Sequence, residues 1–205
     1  MTECIKIYNN FLPDRDYTDL SQSVKQLHDN ICIESESSYE FEAIIKSRKI
    51  DKLPKEAEHY KTYLKNIIKP NCNIFFQDTI FLRENENGIP THVDSQIKDR
   101  LKAIELNLEY KPICVNVYYA NIPQDFKGGD LVVGNTKIKP VNNTLVEFPS
   151  YLSHYVEPFY TKERRCMLVT EQCEFDKHAL IMHGSKIEIP FTNNEIKKDR
   201  YGNFE

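Results

Sequence analysis

Residues 145–169 read Leu-Val-Glu-Phe-Pro-Ser-Tyr-Leu-Ser-His-Tyr-Val-Glu-Pro-Phe-Tyr-Thr-Lys-Glu-Arg-Arg-Cys-Met-Leu-Val. They predict a strand, a tight turn, a histidine (His154) at a strand mouth, a short loop, and an arginine opening another apolar strand. His154 gains meaning from Thr91-His92-Val93-Asp94, whose histidine stands sixty-two residues earlier. In an extended segment side chains alternate with a period of two, so His-x-Asp presents both polar groups on one face. Val93 is then expected to point into the core. Two histidines and one carboxylate form a set that holds one face of an iron(II) ion and leaves other positions open. Arg165, eleven residues beyond His154, adds a fixed cation able to clamp a carboxylate through two parallel hydrogen bonds. Alone, His92 and Asp94 suit a surface turn equally well; the distant His154 favours the ligand set.

Working outward, residues 4–11 alternate as an opening strand that Pro13 and Asp14 stop. Tyr17, Leu20, Val24, Leu27 and Ile31 recur at spacings of three and four, which predicts an amphipathic helix over 16–30. His28, near its end, is read as solvated beside the negative helix pole. Ser35–Ser38 reads as a loop, and Tyr39, Phe41, Ala43 and Ile45 alternate as a short strand. Pro54 opens a second helix whose stripe is Ala57, Tyr60, Leu64, Ile67 and Ile68, and Pro70 marks its end. His59 falls off that stripe and is read as surface. Both helices are expected to buttress one face of a sheet.

From Asn73 the texture changes. Strands are predicted at 74–83, at 89–97 carrying the His-x-Asp pair, and at 102–110 and 113–120 on either side of Lys111-Pro112. Further strands follow a Pro/Gly loop (122–129), at 130–133, 137–141, 144–148 and 165–174. Short strands punctuated by Gly, Pro and Asn argue for an antiparallel sandwich or jelly roll. Gly128 and Gly129 are expected to supply positive φ and no chemistry. The tail 176–205 is read as an edge strand through Ile187, Ile189 and Phe191 followed by a mobile end. His178 and His183 there are placed outside the ligand set.

Composition narrows the function classes. A hydrophobic fraction of 40% and a charged fraction of 28% over 205 residues fit one folded domain, 1–205. Its parts would be a helical buttress about 14–70, a strand-rich core about 73–175 and the tail. A formal net charge of −4 gives no general attraction to a phosphate backbone, so a nucleic-acid partner is disfavoured. The six cysteines are scattered without a CxxC pair, no charged-then-apolar leader opens the chain, and no apolar run is long enough to cross a bilayer. Reduced structural thiols in a cytoplasmic protein, with no membrane partner, are the expectation.

The ordered set of His92, Asp94, His154 and Arg165 resembles the iron(II)- and 2-oxoglutarate-dependent dioxygenases. So does the text around it: Val115-Asn116-Val117-Tyr118-Tyr119-Ala120-Asn121, Gly128-Gly129-Asp130-Leu131 and His154-Tyr155-Val156-Glu157-Pro158. Within that superfamily it is most similar to the prolyl-4-hydroxylase-like branch, over roughly residues 74–175. The resemblance implies an α+β, mainly β fold: a double-stranded β-helix with N-terminal helices packed on one sheet. It implies iron(II) on His92, Asp94 and His154, and 2-oxoglutarate as co-substrate with dioxygen; ascorbate would be an accessory reductant. The far carboxylate of 2-oxoglutarate would sit on Arg165, with Arg164 the competing choice since strand alternation puts only one of them inside. Tyr119 matches a co-substrate-contacting tyrosine and equally suits a core aromatic.

The reaction implied is hydroxylation of an amino-acid side chain, first a prolyl residue in a peptide or protein, with release of succinate and CO2. A free amino acid or other small molecule as substrate, or a non-catalytic metal-binding jelly roll, are the alternatives. Related halogenases carry a small residue where this chain has Asp94, so hydroxylation is favoured over halogenation. Related nucleic-acid demethylases carry a second arginine where Leu168–Gln172 has none. Substrate contacts are expected from 32–53 and 84–90. The sequence does not set the oligomeric state.

Overall fold

A computed structural model describes residues 5–31, 38–85 and 87–196 of the chain. Its first half runs β1 (Lys6–Asn9), α1 (Asp14–Ile31), β2 (Ser38–Lys46), two 3-10 turns (Ser47–Lys52 and Lys55–Tyr60), α2 (Lys61–Ile67) and β3 (Ile74–Asn85). There follow β4 (Ile89–His92), α3 (Gln96–Ala103), β5 (Tyr110–Asn121), β6 (Lys127–Gly128), β7 (Leu131–Val133), β8 (Thr136–Ile138) and β9 (Thr144–Phe148). The last elements are β10 (His154–Val156), β11 (Phe159–Phe175), α4 (Lys177–Ile187) and β12 (Ile189–Ile196).

The strands form two antiparallel sheets. The larger has the order β1-β9-β5-β11-β3-β2-β12, with β6 also paired to β11; the smaller is β4-β10-β7-β8. Between the sheets lies an apolar layer that includes Ile80, Val117 and Met167 from the large sheet and Leu131, Val133 and Val156 from the small one. Behind the large sheet, Phe75, Phe81, Tyr118 and Leu168 pack against Leu20 and Val24 of α1 and Tyr63 and Leu64 of α2. The period of two explains both layers. On β11 the residues Cys166, Leu168, Thr170 and Gln172 face the helices, and Arg165, Met167, Val169 and Glu171 face the small sheet. This is the expected mainly-β jelly roll with its helical buttress.

Several boundaries differ from the sequence reading. The strand predicted over 89–97 stops at His92, and a helix, α3, replaces the start of the strand predicted over 102–110. Ile97, Leu101 and Ile104, at helical spacing, pack into one cluster with Phe76 and Phe175. Pro112 does not divide two strands; it sits near the exposed start of the single strand β5, where the pairing with β11 slips register. The strand predicted from Arg165 begins six residues earlier, at Phe159. In the tail a helix precedes the expected edge strand, and Asp176 caps it by accepting from the His178 and Ala179 amides.

Two histidines are less solvated than expected. His28 packs at a tilt against Phe81, with ring centroids 5.3 Å apart. His59 is half-buried against Tyr60, and burial pushes its pKa down to about 4. Cys72, Cys114, Cys166 and Cys173 are free and buried, and burial raises the thiols, Cys72 and Cys114 to about 12. Such thiols are inert. The predicted loop at Ser35–Ser37, Cys4, Cys32 and the mobile end after Ile196 lie outside the described residues. Among the described residues no helix is long and apolar enough to cross a membrane.

Candidate metal centre

Antiparallel pairing of β4 with β10 sets His92 directly opposite His154, with ring centroids 4.3 Å apart. Asp94 arrives by a different route from the one its spacing suggested. The chain leaves the sheet after His92, so Val93 is exposed rather than buried in the core, and the turn into α3 carries the carboxylate back toward both imidazoles. One donor atom from each of His92, Asp94 and His154 lies within 4.8 Å of the other two.

The donor atoms converge on one point. His92 Nδ1 lies 2.8 Å from the Pro90 carbonyl and His154 Nδ1 3.2 Å from the Leu152 carbonyl. A carbonyl only accepts, so each Nδ1 carries the proton and each Nε2 presents a lone pair. Those Nε2 atoms stand 3.7 and 3.6 Å from the Asp94 oxygens, too far for hydrogen bonds. Asp94 Oδ2 is buried and has no hydrogen-bond partner among the described residues. Two aimed lone pairs and an orphaned carboxylate oxygen suit a divalent cation that accepts imidazole and carboxylate. Burial holds the His154 pKa below the usual histidine value, with His92 adding to the effect and Asp94 and the Leu152 carbonyl opposing it. The neutral imidazole is the ligating form.

From this point a narrow cavity of about 40 Å³ runs between the sheets, bordered by Ile80, Val117, Tyr119 and Met167, and reaches Arg165. Arg165 is 0% exposed, and its guanidinium carbon sits 3.8 Å from the Phe159 ring centroid and 5.4 Å from that of Phe126. Tyr119 is buried on the same cavity; burial raises its phenol and the Arg165 charge opposes the rise. Arg164 takes the other face of β11. Its Nη1 lies 3.5 Å from His28 Nε2, in a separate cavity of about 340 Å³ beside α1. The two arginines thus part as strand alternation predicted, with Arg165 inside.

Three polar residues near the centre escaped the sequence reading. Asp78, 1% exposed, projects from β3 into the cavity. Gln96 lines the cavity too and also an open groove of about 630 Å³ between α3 and the β2–β12 edge, which His92 and Pro90 border. Glu171, on β11, accepts from the Ile97 amide at 3.4 Å; burial, with Asp94 adding to it, pushes its pKa up to about 7. A lone acid inside an apolar strand was the available signal for Asp78 and Glu171. Part of the stretch expected to contact substrate, 38–46, is the strand that its alternation predicted, and its Glu42 and Ile44 line the groove. Gly128 and Gly129 have φ of 75° and 69° and serve the backbone, as expected. His178 and His183 fall on α4, outside the donor set.

No family model matches the chain, and no curated protein sequence does. By structure the chain is similar to a prolyl-4-hydroxylase from Pseudomonas putida, with a TM-score of 0.54 and 17% identity over 84% of this chain and 94% of that one. It is similar to a dioxygenase for auxin oxidation in rice, with a TM-score of 0.51 and 10% identity over 82% and 72% of the two chains. A prolyl 4-hydroxylase structure from Phytophthora capsici aligns with a TM-score of 0.50 and 14% identity, over 84% of this chain and 59% of that one. The chain shares the jelly-roll fold of these proteins.

Proposed function

We propose that the protein is an iron(II)- and 2-oxoglutarate-dependent dioxygenase that hydroxylates an amino-acid side chain, with a prolyl residue of a peptide or protein as the first candidate. The observation that carries this reading is a two-histidine, one-carboxylate centre and a sealed arginine at opposite ends of one narrow cavity. His92, Asp94 and His154 would hold the iron, Arg165 the far carboxylate of 2-oxoglutarate, and Tyr119 the same carboxylate through its hydroxyl. Iron and 2-oxoglutarate, when bound, supply the oxidation by dioxygen that inserts one oxygen atom into a C–H bond and yields succinate and CO2. The chain's own part is to aim the two Nε2 lone pairs, fix the co-substrate's length between Asp94 and Arg165, and keep bulk water out.

The small cavity next to a larger open groove supports a substrate most of whose bulk stays outside, as a polypeptide would. The fold shared with two prolyl 4-hydroxylases supports the prolyl choice. Free, buried thiols fit a reducing compartment such as the cytoplasm.

Incubating the protein with iron(II), ascorbate and 2-oxoglutarate is expected to release succinate, and His92→Ala to abolish it without unfolding the chain. N-oxalylglycine, an unreactive analogue, is expected to bind only when metal is present. Absence of turnover in folded, metal-loaded protein refutes the enzyme. Metal binding without analogue binding would identify a non-catalytic metal-binding module instead.

A further inference from the structure

The geometry points to Glu171 as a positioning residue for Asp94, acting through the first turn of α3. The inference rests on the metal-centre reading above and adds to it a residue outside the donor set. The opening amides of a helix have no partners within the helix and need acceptors. Ser95 stands where a capping side chain belongs, but its hydroxyl donates to Asp99 Oδ2 at 2.8 Å and caps nothing. The acceptor comes instead from a distant strand. Glu171, 2% exposed on β11, takes the Ile97 amide on Oε2 at 3.4 Å, with the Gln96 amide as a second donor. A carboxylate at this end of a helix also meets the favourable pole of its dipole.

The consequence falls on Asp94, two residues before Gln96. Upstream the chain is fixed where His92 pairs with His154; downstream the nearest anchors both fall at Ile97, whose amide meets Glu171 and whose side chain is buried. Between them Val93 is exposed and contributes no buried packing. The position of the Asp94 carboxylate therefore depends on where the first turn of α3 is held. Glu171 is a firm anchor because β11 is paired on both sides there, with Phe76 of β3 and Val115 of β5. It shares a strand face with Arg165, six residues and about 20 Å away along β11, so one strand would carry both the co-substrate's arginine and the anchor of Asp94.

The test is Co(II) titration of the metal-free full chain without co-substrate, with hydrogen exchange on the same variants. Glu171→Ala is expected to weaken Co(II) binding about 10- to 100-fold, the usual cost of removing a group that orients a ligand. The Gln96 and Ile97 amides should lose protection with it. Glu171→Gln keeps an acceptor oxygen at the same reach and should stay within about threefold of the wild type. Glu171→Asp, one methylene short, should follow the alanine variant, which keeps the inference testable if Glu171→Ala does not fold.

Leu101→Ala loosens the same helix from its buried side and leaves the anchor, so it should lower the Tm without changing Co(II) affinity. Wild-type affinity in Glu171→Ala or Glu171→Asp, or an equal loss in Leu101→Ala, would overturn the positioning role. A wild-type chain that takes up no Co(II) would instead overturn the metal centre, and this inference with it.

Discussion

Adjacent arginines on β11 meet opposite surroundings, and the difference predicts opposite responses to the same substitution. Arg165 is buried against the face of Phe159, with Phe126 stacked beside it, at the end of the cavity, while Arg164 leans toward His28 behind the sheet. A charge-assisted, two-pronged contact to a carboxylate in a desolvated site is worth on the order of 2–4 kcal/mol. Arg165→Ala is therefore expected to weaken N-oxalylglycine binding to the metal-loaded protein roughly thirtyfold to thousandfold, at 1.4 kcal/mol per tenfold. Arg164→Ala should change it by less than about threefold. Calorimetry on the two variants checks the pair; the reverse order would mean that the co-substrate lies on the helix side. At this scale the meeting of His92, Asp94 and His154 was legible from residue type and order, and strand period gave the direction of Arg165 but not the route of Asp94. Gln96 and Glu171 were not legible, since neither spacing nor type says that a glutamate on one strand reaches the amides of a helix seventy-four residues earlier.

Single elements were legible where one period ran uninterrupted. The stripe of α1 and the alternation of β3 decide their own structures. The stretch 89–103 misled because two periods meet there: His92 closes a strand, and Ile97 and Leu101 already belong to a helix. Asp94 sits in the seam, where local pattern favours neither. β6 and β11 meet at a tighter constraint. Gly128 has φ of 75°, and a Cβ placed there would collide with the Pro158 carbonyl, which its neighbour Gly129 bonds through its amide at 3.0 Å. Gly128→Ala is expected to cost about 1–3 kcal/mol, from the backbone strain alone, with more if the Pro158 segment must shift. A urea midpoint equal to the wild type's would show that this turn relaxes freely.

At the scale of the whole molecule, the fold class followed from strand spacing, but the strand order did not. Which strands become neighbours depends on contacts between residues far apart in the chain, and no local pattern encodes them. The order that results places β11 between β5 and β3, bonded to both along most of its length. Without it the large sheet falls into two pieces, β1-β9-β5 and β3-β2-β12. β11 is synthesised after both β3 and β5, so until residue 175 is made the facing edges of those two strands wait for a partner. Unmated edges of this kind recruit other chains, and joins between distant segments make refolding slow, on the millisecond-to-second scale. Nascent chains arrested at residue 158 should therefore be protease-sensitive and aggregation-prone, and chains extended past residue 175 far less so. Equal protease resistance at both lengths would mean that the two half-sheets hold together by other means.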